Sequence, residues 1–482
     1  MKKILFLFLG LLATITTKAQ SYSVLSSASG SLVSFESIYD EDSELFGYAE
    51  VRKLDLIDKL TESYKYVILD KNMNTICSGE FNETLVKKQC YKRLSQIVYC
   101  DDKLLFNLRE YFDLGPVNNS YQILDIKENK IISKGIFDAK SEDSENLKKL
   151  HNSYIAKYFS DIPKLGYVTM DFDSKEEGML ISAIGFDGKT IWNQPTKVAE
   201  EKHKYKYSLL NANADYTIIN ATKYKSSRKI SDYVLILDSK TGKEVAFLQI
   251  SNDDYTTLSY NLKIIKDQVI TVGKYYEKDK RDEVEYDESL GLYRQVIDIK
   301  SGKLIKKDFL PYEKFGNLDI NENGKIKKEG YLSFQRVEIN PDGSYFVLAE
   351  TFIPKSRGAI YSALYTFQLN KDFVPTKVTA FDTERTRGSK YSFSQKLTAS
   401  KGKAYFFYDK NEDRKTELNV LTLNYASGDI LQTKMPINNS NSSISVVPAK
   451  LGYVGLMEYF KNPKKEGKSM EIRLEKINYE RQ

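Results

Sequence analysis

The chain has 482 residues, 41% of them hydrophobic and 29% charged, which supplies a sizeable core and excludes a disordered chain, a collagen or a small disulfide scaffold. Its 72 Lys and Arg against 66 Asp and Glu give a formal charge of +6, which gives no basis for a nucleic-acid partner.

Met1 to Gln20 reads as an export signal. Lys2 and Lys3 form a basic start, Ile4 to Ile15 an apolar run, and Thr17-Lys18-Ala19 a small-x-small cleavage site. Cleavage is expected after Ala19 or Gln20, leaving a mature chain at +3 once Lys2, Lys3 and Lys18 are gone. No later stretch has the 18 or so uncharged apolar residues of a membrane span, and no cysteine follows the apolar run to carry a lipid. The expectation is an exported protein, periplasmic or extracellular, with no transmembrane segment in the mature chain.

From there on, short apolar runs rich in Tyr, Phe, Val and Ile alternate with Asp, Asn and Gly turns, the pattern of β-strands. Tyr22 to Ser26 is a short strand by itself, and the acidic run Asp40-Glu41-Asp42 follows in a turn. A hairpin over Tyr64 to Phe81 turns at Asp70. Three cysteines come next, Cys77, Cys90 and Cys100. An odd number in an oxidising compartment allows one local disulfide and one free thiol, with the pairing open. A Cys nucleophile needs a base, and the chain has only His151 and His203, so these cysteines read as structural. Ile97 to Tyr99, Asp102 and Leu104 to Tyr111 form a second kind of hairpin, and Tyr121 to Phe137 turns at Asp125. Lys140 to Tyr158 is the one helical stretch, with Ser141 or Ser144 as cap and Leu147, Leu150 and Tyr154 on one side. His151 falls there and His203 in a Lys-rich stretch, both read as solvated.

Further hairpins turn at Asp187, Asp238 and Asp298, with weaker copies at Asn370 and Asn424. Upstream of each lies a second turn, near residues 44, 102, 166, 215, 267, 343 and 402, with a last one near 452. Both ladders repeat roughly every 58 residues, and two strand pairs in that length match one β-propeller blade. The expected fold is all-β: residues 1–20 a signal and 21–482 a single β-propeller domain of eight four-stranded blades. Tyr22 to Ser26 would supply the missing outer strand of the last blade, so that no edge stays bare. Seven blades, or two stacked β domains, are the alternatives.

The turns Leu237-Asp238-Ser-Lys-Thr-Gly242-Lys243 and Ile297-Asp298-Ile-Lys-Ser-Gly302-Lys303, with Phe186 to Trp192, resemble the repeats of the quinoprotein-like, or pyrroloquinoline-quinone-like, β-propeller superfamily. The resemblance implies a propeller but not one activity, since that superfamily holds both quinone-dependent dehydrogenases and non-enzymatic envelope scaffolds. Trp192 is the single tryptophan where the superfamily carries blade-docking ones. No two cysteines are adjacent, as several of its enzymes hold against their cofactor. No cofactor is therefore expected.

Asp319, Asn321 and Asn323 ahead of Gly324 match the opening of a calcium loop, but the twelfth position is Gly330, with Glu329 one residue early. Asn323-Gly324 also suits a hairpin turn, so the loop is a weak metal candidate. Asp40 to Asp42, Asp171 with Asp173, and Glu285 with Asp287 and Glu288 could hold two carboxylates for glycoside hydrolysis; no catalytic pair can be nominated from them. The better lead is aromatic. The second strand of most units ends in Tyr or Phe, giving Tyr111, Tyr224, Tyr275, Tyr276, Phe352, Tyr408 and Tyr459 as candidate ligand contacts, beside Phe112, Phe172 and Phe460. Long polar connections follow them. The function expected is an exported, non-enzymatic binding or scaffolding propeller of the cell envelope that recognises a protein or glycan with one rim. The alternative is a secreted carbohydrate-active enzyme using carboxylates; a third is a calcium-stabilised structural module.

Overall fold

A computed structural model describes residues 21–477 apart from 26–29, 113–114, 138–157, 174–177, 197–198, 201–202, 226–227, 251–253, 279–288, 317, 357, 382, 399–401, 411–415 and 438–441. The expected helix and His151 lie outside the described residues, Tyr158 excepted.

Eight antiparallel sheets follow one another along the chain, spanning 31–84, 91–137, 159–195, 199–249, 256–311, 325–387, 391–436 and 442–476. They are the eight blades of a propeller, not seven. Within each blade the strands run in sequence order, and the first strands of neighbouring blades touch, for example Ser31–Tyr39 with Tyr91–Cys100 and Tyr91–Cys100 with Phe159–Ile162. First strands therefore line the ring's centre. Two-residue strands extend the fourth blade (Ala199–Glu200) and the sixth (Lys325–Ile326 and Thr386–Arg387).

The middle strands explain why the sequence shows continuous apolar runs. Gly291–Asp298 and Tyr345–Pro354 are buried along almost their whole length, since both faces of a blade are covered by its neighbours. The outermost strand Leu304–Pro311 is exposed over its first half, while the inner strands His203–Ala212 and Gly330–Ile339 keep an alternating pattern.

The ring closes through the N-terminal strand. Ser21–Leu25 pairs with Lys468–Lys476, placing Tyr22 opposite Ile472, and so completes the eighth blade as its fourth strand. The eighth blade then packs on the first. Tyr48 donates to the carbonyl of Pro448 at 3.2 Å, and Met73 sits in one apolar cluster with Met457, Met470 and Ile472.

Each Asp-turn does two things. Its carboxylate accepts from one or two backbone N–H groups two to four residues on, as Asp238 does from Lys240 and Thr241 at 3.1 and 2.8 Å. The far side of the turn receives the preceding blade. Trp192 donates to the Ser239 carbonyl at 2.9 Å, and a Cβ on Gly242, where φ is +70°, would lie 2.5 Å from the indole. Equivalent contacts join Asn129 to the Ser78 carbonyl at 2.8 Å and Gln368 to the Gly428 carbonyl at 2.6 Å. The lone tryptophan is thus one of several side chains docked in this way.

Candidate functional site

Because every blade runs first, second, third and fourth strand antiparallel, both ladders of turns lie on one face of the ring. The connections after the second and fourth strands lie on the other, here called the loop face. The candidate aromatics all sit at the loop-face ends of second strands, one or two per blade. They differ in exposure. Tyr275 and Tyr276 are buried, Tyr275 against Tyr255 and Phe309 at ring distances of 5.0 and 4.9 Å. Tyr408 is half-buried, its hydroxyl accepting from the Val446 N–H at 2.7 Å. Phe352 lies between Tyr331 and Tyr361, and Tyr224 lies beneath the Lys206 ammonium at 5.0 Å. Tyr459 is 40% exposed. Phe172 is in the strand Gly166–Asp173.

Tyr111 belongs to a stack. Its ring lies 5.5 Å from Tyr91 on the first strand of the same blade, at an interplanar angle of 13°, and the exposed Arg93 guanidinium sits 5.1 and 5.4 Å from the two ring centres. Strand pairing sets this up, since Tyr91 is directly opposite Tyr111 and Arg93 opposite Arg109. The result is a flat cationic and aromatic surface near the loop-face mouth of the channel.

Sequence reasoning missed the acids that accompany these aromatics. Glu50, Glu110, Glu350, Asp409 and Glu458 lie on second strands and are themselves buried. Each is engaged in the structure. Glu110 accepts from the Val86 N–H at 2.6 Å, Glu350 from Lys390 and Tyr391 N–H at 2.9 and 3.1 Å, and Asp409 from Glu384 N–H at 3.2 Å. These donors lie on the connections between blades, so the acids pin the entry of the next strand. Glu50 accepts from Tyr22 at 2.6 Å, tying the closing strand to the first blade, and Glu458 pairs with Arg473 at 3.2 Å. Burial raises Glu110 and Glu350 above the ordinary Glu value, against the pull of those N–H donors. The signal was an acid within two residues of an aromatic, as in Glu110-Tyr111-Phe112 and Glu458-Tyr459-Phe460, although Tyr224 and Tyr275 have lysine beside them instead.

A second cluster lies on the turn face, where the first three blades meet at the channel. Glu41 from the Asp40 turn accepts from the Asp101 N–H at 2.6 Å; Asp101 accepts in turn from the Lys164 N–H of the third blade. The Cys100 thiol lies 3.7 Å from Asp101 Oδ2 and 3.5 Å from the Ile162 carbonyl. Asp161 completes the group. Burial, then the negative charges of Glu41 and Asp101, raise it to about 6. It borders a cavity of about 410 Å³ with Tyr39, Gln96, Tyr99 and Ser160. Of the acidic runs in the sequence, Asp40 to Asp42 contributes here through Glu41, while Asp40 caps its own turn by accepting from Asp42 and Glu44 N–H. Glu285, Asp287 and Glu288 lie outside the described residues, and Asp171 and Asp173 lie in Gly166–Asp173.

The three cysteines are free and buried, with no disulfide. Burial pushes Cys77 and Cys90 up to about 11 and Cys100 higher still. The calcium-like loop is a hairpin turn: Asn321 accepts from Asn323 and Lys325 N–H at 3.1 and 2.8 Å, and Asp319 is exposed. His203 starts the strand His203–Ala212.

The model of a family of unknown function (DUF6770) matches residues 1–360 and 354–478. No curated protein matches the sequence. Similar solved structures include the quinohemoprotein alcohol dehydrogenase from Comamonas testosteroni, 10% identical over 96% of this chain and 78% of that one, with a TM-score of 0.45. Others are a europium-containing methanol dehydrogenase (10%, 95% and 93%, TM-score 0.39) and the WD40 domain of SCAP from fission yeast (10%, 94% and 98%, TM-score 0.40). Quinoprotein dehydrogenases are thus among the structures similar to this chain, as the Asp238 and Asp298 turns suggest. At such identities the likeness extends to the fold alone.

Proposed function

The chain belongs to that family of unknown function, and from its geometry we propose that it is an exported, non-enzymatic binding or scaffolding ring of the cell envelope. It would recognise a protein or glycan with its loop face. The observation that carries this reading is the Tyr91, Arg93 and Tyr111 stack, two flat rings and an exposed guanidinium held on paired strands of a closed ring. Such a surface is already ordered, so binding costs little side-chain entropy, and aromatic and Arg side chains are the usual anchors of an interface. The buried acids nearby support recognition over hydrolysis, because their oxygens accept bonds from blade connections. The test is crosslinking of a tagged chain in intact cells of its host, with the captured species identified by mass spectrometry. An Arg93→Ala, Tyr111→Ala variant should lose a reproducible envelope partner at least tenfold while melting like the parent. Capture unaffected by the double change overturns the reading.

A carbohydrate-active enzyme is the second reading, favoured by Asp161, which borders an open cavity with Glu41 and Asp101 close enough to raise it. It predicts glycan cleavage that Asp161→Asn abolishes.

A further inference from the structure

Glu41, Cys100, Asp101 and Asp161 come from three different blades, and the ring alone brings them together. One donor atom each from Glu41, Cys100 and Asp101 lies within 4.8 Å of the other two. Acids from distant parts of a chain repel unless something between them offsets the charge. Elsewhere in this protein lysine or arginine does so, as for Glu83 with Lys92, Asp308 with Arg294 and Asp102 with Lys127. Among the described residues, no basic side chain is in ion-pair contact with Glu41, Asp101 or Asp161.

A separate observation comes from Tyr167. It lies directly across the strand pair from Asp161, in one buried cluster with Cys100. The side chain is fully buried, and its hydroxyl has no hydrogen-bond partner. Cys100, Asp161, Asp101 and Glu41 all act electrostatically on that hydroxyl. An orphaned buried hydroxyl is costly, and this one belongs to the residue paired with Asp161, so an unused donor beside the acid cluster implies a further group there.

We propose that Glu41, Cys100 and Asp101 bind a divalent cation of the zinc class at the turn-face mouth of the channel. A thiolate beside two carboxylates suits a borderline ion better than calcium or magnesium, which take oxygen donors only. Around a tetrahedral ion with bonds of about 2.0–2.3 Å the donors stand roughly 3.3–3.8 Å apart. Glu41 is exposed, and exchanging its bond from the Asp101 N–H for the ion would let it swing inward and close the difference. The fourth position would fall to Asp161 or to a water that takes the Tyr167 proton as a hydrogen bond. On binding, the Cys100 sulfur exchanges its proton for the ion, and that proton passes to solvent. The bound ion would fasten the first three blades at one point. The inference does not rest on the loop-face reading.

The test uses the full mature chain without a tag, stripped with chelator. Titration with Zn²⁺ should give a single site per chain, release of about one proton seen in the buffer dependence of the heat, and a higher melting temperature. Titration with Co²⁺ or Cd²⁺ should raise a sulfur-to-metal absorption band. Cys100→Ser should remove the band, and Glu41→Gln, at an exposed position where folding is not at risk, should weaken binding at least tenfold. Cys77→Ser and Cys90→Ser should leave both unchanged. Absence of a one-to-one site, or binding unaltered by Cys100→Ser and Glu41→Gln, overturns the proposal. So does calcium binding with no sulfur band.

Discussion

Glu110 is fully buried at the end of a second strand, and its position decides how it responds to pH. Its carboxylate accepts from Val86 N–H and lies beside Asn118 and Cys90. Burial nevertheless raises its pKa above the Glu value of 4.5. A group raised on folding contributes stability that is fully present below its unfolded value and lost as pH climbs through the folded one. Glu110→Gln keeps an acceptor oxygen and removes the buried charge. At pH 7 it should unfold within about 1 kcal/mol of the parent or be more stable, and that advantage should disappear as pH is lowered to about 4.5. Glu110→Ala removes the same titration but leaves the Val86 N–H without a partner, so it should lie about 2–3 kcal/mol below Glu110→Gln at every pH. Urea midpoints from pH 4.5 to 7 separate the two. At this scale the sequence was only partly legible. Glu110-Tyr111 and Lys274-Tyr275 look alike as text, yet Tyr111 reaches a surface stack while Tyr275 packs under Tyr255 and Phe309. Tyr275 is covered by the entry and the outermost strand of its own blade, both distant in the chain, and local alternation carries no information about such partners.

At the level of the element, the Asp-turn is the part most clearly written in the chain, because its demands are local. Asp must bond its own backbone, and the residue three or four further on must accept a positive φ, as Met73, Gly242 and Gly302 do. That is why turns at Asp70, Asp238 and Asp298 are recognisable from their letters. Their second task, receiving the preceding blade, was invisible, since Trp192 and Gly242 meet only in the ring. Gly242→Ala tests it. The added methyl suffers the left-handed backbone and also meets the indole at 2.5 Å, so it should cost about 3 kcal/mol. Gly343→Ala shares the backbone problem, at φ +85°, but has nothing within 4 Å and should cost about 1 kcal/mol. If the two variants melt alike, the turn does not dock blades. The acidic cluster failed to appear in the sequence for the same reason as the docking: Glu41 and Asp101 in turns and Asp161 in the strand Phe159–Ile162 belong to separate blades and become neighbours at the centre of the ring.

The whole molecule depends on one pairing between its ends. The repeat period implied eight blades, and the shortage of one strand in the last implied that the first residues supply it, as Ser21–Leu25 does. What the period could not give was the pair of hydrogen bonds, from Tyr22 to Glu50 and from Tyr48 to the Pro448 carbonyl, that seals the joint. Removing Ser21–Leu25 bares the backbone edge of Lys468–Lys476 and leaves Glu50 without Tyr22. The truncated chain should melt at least 10 °C lower and associate through the open edge at concentrations where the parent is monomeric. Light scattering alongside a thermal melt reads both, and a truncated chain that stays monodisperse with an unchanged melting point would remove the joint from any structural role.

Tyr22 facing Ile472 also sets a timetable. A ribosome adding 5–20 residues per second needs on the order of 20–100 s to make this chain, and through all of that time the first strand has no partner. Seven blades can form in order as they emerge, each leaning on the one before, but the circle cannot shut until nearly the last residue is made. A chain cut short anywhere in the eighth blade keeps most of its sequence and loses its closure, so fragments lacking only a few C-terminal residues should be far more sensitive to protease than their length suggests.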